Sequence, residues 1–580
     1  AEQAWLPAAG FCQLTVDGHL LGALAGDRVR VFGRMRRLEP PMNPGEYDFA
    51  AAARAERRIV TLVSTSPESV TVTDAAGWKG PRRWIDAARA SGERSLTHYV
   101  GPQRSALAAA ILLGAREGLP REDVLPFFLT GTVHLLVVSG LSVGVLATGL
   151  YAVARMGWMP RKIALVGVMT VVAAYALVAG GQPPVVRAAI LVVLVCMAGW
   201  SGRRGIGFNS LAAAAIVVLA LNPSEAFQVG TQLSFLCVAV LMWLGITAWE
   251  RQRANYDPLD RLIYDTRPWY ERAAIAGGRW FVLLMISSGA VWLATLPLAL
   301  HQFHLATPVS LLISPIVWLL ALVAMWSGFL TLLGGWVLAP LATLAGPVCS
   351  WSLSGLVAVV DYAESVRGGH LWAPGPAWWW VVGCYIGLAI VILKGCSWLA
   401  PRWQVAALCL WILVGCMPPL ARAWSRPDEL RCTFVAVGHG TCVVLETPDG
   451  QTLLYDAGML GPPEWSTQTI ANYLWHRGIM RIDAIILSHA DIDHYNAVPG
   501  LIDRFRVGAI YVSPQMFDEY GASGPVRGPE TLRLAIADAG VPLREIWSGD
   551  RLHICEEVTI DIRHPPREGV IGRDNANSIV

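Results

Sequence analysis

From about Ser105 to Ala423 the chain is a succession of apolar stretches, several of them close to the ~20 residues that an α-helix needs to cross a bilayer. Spans are predicted near 133–154, 163–181, 185–202, 206–221, 229–249, 280–300, 307–338, 340–362, 376–393 and 403–421, with Pro315 a candidate break in the seventh. That makes roughly eight to ten crossings. The run Leu107 to Gly114 is too short to span alone and reads as re-entrant or interfacial. Of the 580 residues, 54% are hydrophobic and 15% charged, against about 25% charged in a usual soluble domain. An ordinary soluble enzyme is excluded, and a multidomain polytopic α-helical membrane protein is expected.

The apolar bias is uneven, because both ends are rich in Arg, Asp and Glu. Residues 1–78 hold short β-rich runs, such as Gly26 to Gly33 and Ile59 to Val63, and read as a small β-barrel. Inside this region Asn43-Pro44-Gly45-Glu46-Tyr47-Asp48-Phe49 is a Pro-Gly turn that leads into a short Ala-rich helix. Residues 79–120 form a linker with amphipathic or re-entrant helices, 121–424 the transmembrane domain, and 428–580 an α/β domain. In that last part strands are predicted at 431–437, 442–446, 452–456 and 484–488, with a helix over 467–478. The chain starts at Ala1 without Met and stops at Val580 in a strand-like run, so a fragment is expected at both ends, with any export signal upstream.

Lys+Arg 45 against Asp+Glu 43 gives +2, which excludes the basic excess of a nucleic-acid-coating protein. The 11 cysteines form no CxxC pair and read as small core hydrophobes rather than a zinc or disulfide framework. Basic residues fall in alternate loops: Arg155, Arg161 and Lys162, then Arg203 and Arg204, then the segment Glu250 to Arg279. The positive-inside rule assigns these loops to the cytoplasm and the N-terminal domain to the outside. For the C-terminal domain the charges conflict, since Lys394 and Arg402 precede the last span while Arg422, Arg426 and Arg431 follow it.

Directly after the strand at 484–488 comes His489-Ala490-Asp491-Ile492-Asp493-His494. Two His and two Asp within six residues, at the carboxyl end of a strand, gather N and O donors where α/β folds build their sites. Imidazole with carboxylate suits zinc or manganese, and two such sets suit a pair of divalent ions able to generate hydroxide and clamp a phosphoryl transfer. The competing reading is a solvated polar loop. Asp456, in Leu453-Leu454-Tyr455-Asp456-Ala457-Gly458, ends another strand; it either orients a His ligand or a metal-bound water, or is a plain turn Asp.

HxDxDH after a hydrophobic strand, together with the Asp-Ala-Gly strand end, resembles the metallo-β-lactamase superfamily, with Asp491 where most members have His. Joined to a polytopic domain and an N-terminal barrel, it resembles the ComEC-type DNA-internalisation proteins of bacterial natural competence. The turn Asn43 to Phe49 is similar to the NPGxFD turn of that family's OB-fold domain. Phe128 to Leu141 resembles its TGxxHLLAISGLH signature, Gly181 to Ala188 its GxxPSxxRA segment, and Gln232 to Phe235 its QLSF helix.

The resemblance implies an OB-like N-terminal domain and a C-terminal αββα metallo-β-lactamase-like domain cut short at Val580. It implies import of one DNA strand through a membrane channel while an outer metal-dependent nuclease domain degrades the other, so both terminal domains are expected outside the bacterial inner membrane. His489, Asp491, Asp493 and His494 match the family's metal motif position by position. His489 with Asp491 would serve one Mn or Zn ion and Asp493 with His494 the other, Asp493 also holding the nucleophilic water. The implied partners are DNA, as transported strand and as duplex substrate, the lipid bilayer, a separate DNA receptor and an ATP-driven motor. The motor must be separate because the chain holds no GxxxxGK[ST] loop. Departures are Ala436-Val437-Gly438-His439-Gly440-Thr441 where the family reads DVGQGD, and Ser142 at the final His of SGLH. Asp574 to Val580 resembles the strand before a metal-bridging carboxylate that this chain does not reach, so the centre is expected to be incomplete here.

A path for a phosphate backbone needs cations or donors, and Arg187 beside Pro183-Pro184 is the leading candidate, either lining a pore or snorkelling to an interface. For His134 and Gln232 an interhelical hydrogen bond competes with DNA contact. Arg28, Arg30, Arg34, Arg36 and Arg37 offer the N-terminal domain either a strand-binding groove or a solvated face. Two other functions stay open: a membrane-bound metallo-hydrolase of another phosphate ester without DNA transport, and a DNA channel whose hydrolase has decayed.

Overall fold

The structure, a computed structural model, describes residues 10–18, 23–75, 80–116, 118–203, 207–254, 259, 264–394, 401–424, 429–517, 528–571 and 574–580. Arg204, Arg426, residues 76–78 of the expected barrel and part of the 250–279 loop lie outside them. The chain divides into two compact units, one of Ala1–Leu38, Ala52–Ala299 and Leu305–Leu371, the other of Glu39–Ala51, Leu300–His304 and Trp372–Val580.

The N-terminal region has β1 (Phe11–Val16), β2 (Arg28–Val31), β3 (Arg34–Arg37), α1 (Phe49–Ala55), β4 (Arg58–Ser64) and β5 (Val70–Asp74). They form two separate ladders, β1-β4-β3 and β2-β5. The first is mixed, with β1 parallel and β3 antiparallel to β4. No closed barrel is found among the described residues, where no ladder joins the two sheets. The physical reason is in the side chains. A closed barrel fills its interior with alternating inward residues, whereas these strands fully bury only Ser64 and Val70, and all four residues of β3 are exposed.

The helices that follow are α2 (Pro81–Val100), α3 (Pro102–Leu113), α4 (Arg121–Leu129), α5 (Gly140–Met156), α6 (Arg161–Val178), α7 (Pro183–Trp200), α8 (Phe208–Leu221), α9 (Val229–Ala254), α10 (Trp269–Phe303), α11 (Val309–Val337), α12 (Ala339–Glu364), α13 (Trp378–Lys394) and α14 (Pro401–Trp424). Six of them are long and apolar enough to cross a membrane: α6, α7, α9 over Val229–Glu250, α10, α11 and α12. Gly140–Met156, Phe208–Leu221 and Trp378–Ile390 are shorter apolar helices. Six candidate spans thus stand among the described residues, and the expected eight to ten crossings also count shorter apolar helices such as α8, about 21 Å long at 1.5 Å per residue against the ~30 Å hydrocarbon core.

Helix α3 buries Leu107 to Leu113 in a core shared with α2, α11 and α12. Small residues permit the close approach: a Cβ on Gly328 would stand 2.3 Å from Leu112 Cδ1, and one on Gly346 2.3 Å from the Tyr99 carbonyl oxygen. Pro315 lies buried inside α11 and does not break it. The segment between α6 and α7 is interrupted, with Gly180 and Gly181 at φ +80 and +62 before Gln182 and Pro183.

The C-terminal sheet contains β6 (Arg431–Phe434), β7 (Val443–Glu446), β8 (Thr452–Tyr455), β9 (Arg481–Ile486), β10 (Arg506–Val512) and β11 (Leu543–Glu545). Its spatial order is β11-β10-β9-β8-β7-β6. Strands β8 to β11 run parallel, joined by α15 (Pro463–Arg477), by α16 (Ile492–Tyr495) with α17 (Val498–Arg504), and by α18 (Gly528–Asp538). Period-two alternation decides the faces. Leu454, Ile485 and Ile510 join the helix-side core, while Tyr455, Ile486 and Tyr511 pack with Ile546, Ile562 and Ile579 on the other side. A hairpin of β12 (Arg551–His553) and β13 (Thr559–Asp561) follows.

Candidate metal centre

Parallel pairing of β8 with β9 sets Tyr455 beside Ile486, so both strands deliver their next residues to one edge of the sheet. Asp456 follows β8 directly and is 1% exposed. Its φ of +57 puts a non-glycine residue in the left-handed region, a strain of about 1–3 kcal/mol. Hydrogen bonds hold it there: Asp456 Oδ1 accepts from the Ser488 N–H at 2.7 Å, and Oδ2 accepts from Ser488 Oγ and from His494 Nδ1, each at 2.7 Å.

Those contacts assign the tautomers. Ser488 has one hydroxyl proton and gives it to the acceptor-only carboxylate, so its Oγ accepts from His489 Nδ1 at 2.8 Å. Both imidazoles therefore carry their Nδ1 protons inward and turn Nε2 toward carboxylates: His489 Nε2 lies 3.1 Å from Asp491 Oδ2, and His494 Nε2 3.9 Å from Asp493 Oδ2. The two rings stand 4.1 Å apart. Imidazole Nε2 atoms turned toward carboxylates, with the opposite nitrogens anchored, are the arrangement of metal-ligating histidines. The donor chemistry fits a divalent ion. Among the described residues, however, no three His, Cys, Asp or Glu donors converge on one point, so the loop is a partial ligand set.

Burial by itself would depress the His494 imidazolium; its hydrogen bond to Asp456 and the charges of Asp456, Asp493 and Asp491 outweigh that, and its pKa lies above the ordinary histidine value. Burial and the neighbouring Asp456 charge together push the half-buried Tyr455 hydroxyl up to about 12.

A residue that the motif reading passed over also reaches the site. His439 Nε2 is 3.5 Å from Asp493 Oδ2. It rides on the loop between β6 and β7, where Gly438 and Gly440 take φ +78 and +140. The Thr441 N–H donates to the Asp493 carbonyl at 3.4 Å, and the Leu460 N–H to the His439 carbonyl at 2.6 Å. A histidine between two glycines in a strand-connecting loop was the available signal.

The candidates in the membrane domain lie apart from one another in role. Arg187 is buried, its NH1 3.2 Å from Glu225 Oε2 and its NH2 3.2 Å from the Gly230 carbonyl; Thr231 Oγ1 also donates to Glu225. His134 is exposed with Nδ1 3.2 Å from the Gly131 carbonyl, and Gln232 is exposed with Nε2 donating to the Ala226 carbonyl at 2.9 Å.

A bundle of membrane-length helices joined to a parallel-centred sheet with a histidine–aspartate loop defines a polytopic membrane protein carrying a metallo-hydrolase-type domain. Residues 111–398 match the family described as Competence protein, and residues 435–551 match the Metallo-beta-lactamase superfamily. The chain thus joins a competence-type domain to a metallo-beta-lactamase superfamily domain, a combination consistent with a competence protein of ComEC type. It is 23% identical over 508 residues to "ComE operon protein 3" of Bacillus subtilis (strain 168), covering 83% of this chain and 59% of that protein. It is 26% identical over 428 residues to "Uncharacterized protein YcaI" of Escherichia coli (strain K12), covering 69% and 50%. Against "Competence protein ComA" of Neisseria gonorrhoeae it is 27% identical over 433 residues, covering 67% and 51%. The chain thus spans between half and three fifths of the length of these relatives.

Proposed function

We propose that the protein is a channel for import of single-stranded transforming DNA, with an extracytoplasmic metal-dependent nuclease domain that degrades the other strand. The observation that carries this reading is the succession, in one chain, of a competence-type membrane domain and a metallo-beta-lactamase domain, with the relatives "ComE operon protein 3" and "Competence protein ComA". Two divalent ions, Mn²⁺ or Zn²⁺, would supply hydroxide at neutral pH and neutralise the phosphate's developing charge. His489 and His494 would hold them through Nε2, with Asp491 and Asp493 as carboxylate ligands. Asp456 orients His494, Ser488 orients His489, and Asp493 positions the attacking water. In the membrane domain His134 and Gln232 contact the strand, while Arg187 shapes the path through its grip on Glu225 and Gly230.

Charge and connectivity support the outward side for the hydrolase domain. Helix α10 leaves the basic 250–279 segment, inside by the positive-inside rule, and its far end, Leu300–His304, belongs to the same compact unit as Glu39–Ala51 and Trp372–Val580. A separate DNA receptor would deliver duplex, and a separate ATP-driven motor would pull the strand. A decayed hydrolase is the second reading, favoured by Ala436 and Thr441 in the place of carboxylates. Proteoliposomes test the channel: a labelled single strand should become protected from added nuclease only when the protein is present. Equal protection in empty vesicles contradicts it.

A further inference from the structure

Asn43 precedes the Pro-Gly turn of the N-terminal region, yet its side chain is spent on the hydrolase domain. Its Oδ1 accepts from the Ala436 N–H at 2.7 Å, and its Nδ2 donates to the Ala436 carbonyl at 3.0 Å. The amide thus closes both main-chain groups of one residue, as a strand partner would, and Asn43 is only 7% exposed. Glu46 pre-forms the turn by accepting from the Met42 and Asn43 N–H groups at 2.9 and 3.1 Å and from Asn43 Nδ2. Gly45 seats it: at φ +88, a Cβ there would lie 2.6 Å from the Asn472 carbonyl oxygen and 2.8 Å from His476 Cβ, both on α15.

Ala436 opens the loop that carries His439 to Asp493. Beyond it there is no slack, since a Cβ on Gly440 would stand 2.6 Å from both the Asp493 and the Gly458 carbonyl oxygens. The hydrolase domain uses the same device internally: Asn496 Oδ1 accepts from the Met459 N–H at 3.1 Å while Nδ2 donates to the Met459 carbonyl at 2.6 Å, fixing the loop after Asp456. Two asparagine clamps therefore hold the two loops that flank Asp493, and one of them comes from nearly four hundred residues away, |i−j| = 393.

We propose that Asn43 is a positioning residue of the hydrolase centre: it sets the Ala436–Thr441 loop, so that His439 stands beside Asp493 only when the N-terminal turn is docked. This rests on the metal-dependent hydrolase reading. The test uses the full chain in detergent, as wild type, Asn43→Ala and Asn43→Asp, the last keeping the acceptor but losing the donor. Hydrogen exchange of peptides covering 435–441 and Mn²⁺ affinity by electron paramagnetic resonance are read together. Asn43→Ala should speed exchange in that segment while β9 and β10 stay protected, and weaken Mn²⁺ binding about tenfold, the scale of lost orienting contacts; Asn43→Asp should fall between. Unchanged exchange at 435–441 overturns the clamp. Faster exchange with unchanged Mn²⁺ affinity overturns the positioning role. Global loss of protection in Asn43→Ala, with Asn43→Asp indistinguishable from wild type in Mn²⁺ affinity, assigns Asn43 to folding alone and also overturns it. No Mn²⁺ binding by the wild type overturns the hydrolase reading itself and the proposal with it.

Discussion

His304 and Trp475 stack with ring centroids 4.6 Å apart and planes 30° from parallel. Trp475 also stacks on Trp372 at 5.8 Å and Phe505 at 5.4 Å, and the Arg504 guanidinium lies 4.3 Å over the Trp372 ring. His304 is itself fixed, its Nδ1 accepting from the Gly375 N–H at 2.9 Å. This aromatic stack ties the segment after α10 to α15. Replacing Trp475, 3% exposed, by Ala should cost about 3–5 kcal/mol. Denaturant unfolding followed through the C-terminal unit reads the loss, and a change below ~1 kcal/mol would deny the stack its structural weight.

Asp456→Asn keeps size and shape but removes the charge and one of the two acceptor oxygens, so the Ser488 N–H, Ser488 Oγ and His494 Nδ1 can no longer all donate to it. With the tautomer no longer enforced, divalent-metal affinity should fall about 10–100-fold, measured by competition with a chelating dye. Wild-type affinity would mean that Asp456 is only a turn residue.

Gly458→Ala tests the close packing under the centre. A Cβ there would lie 2.4 Å from the Asp493 carbonyl carbon and oxygen, and backbone cannot yield as a side chain does. We expect a destabilisation of about 1–3 kcal/mol, with metal binding reduced more than helix content, as circular dichroism and metal titration on the same sample would record.

Arg187→Met leaves Glu225 buried without its cation and should destabilise by about 3–5 kcal/mol in detergent. Arg187→Met with Glu225→Gln, which keeps a partner for Thr231, should recover most of that stability. Strand uptake that recovers with it supports a path shaped by the pair; a stable double variant without uptake would assign Arg187 direct contact with the strand.

Much of the candidate site was legible in the sequence because these donors are local to one loop: His489, Asp491, Asp493 and His494 lie within six residues, and the hydrophobic run before them marks the strand that presents them. The strands at 443–446 and 452–455 and the helix at 463–477 follow the same local patterning. What stayed hidden was long-range. Asn43 reads as a turn residue until its amide is seen on Ala436, and Arg187 reads as a lone cation until Glu225 is seen beside it. The barrel is not found among the described residues, for the opposite reason. Alternating short strands announce β structure, but closure depends on ladders between distant strands, which local pattern does not specify.

The most direct test is DNA cleavage by the purified membrane-embedded protein with Mn²⁺ or Zn²⁺, beside His489→Ala and Asp493→Ala. The account predicts metal-dependent cleavage that both variants lose by at least a hundredfold, a barrier increase of ~2.7 kcal/mol or more. Stoichiometric metal bound at His489 and His494 with no cleavage of single- or double-stranded DNA would contradict it.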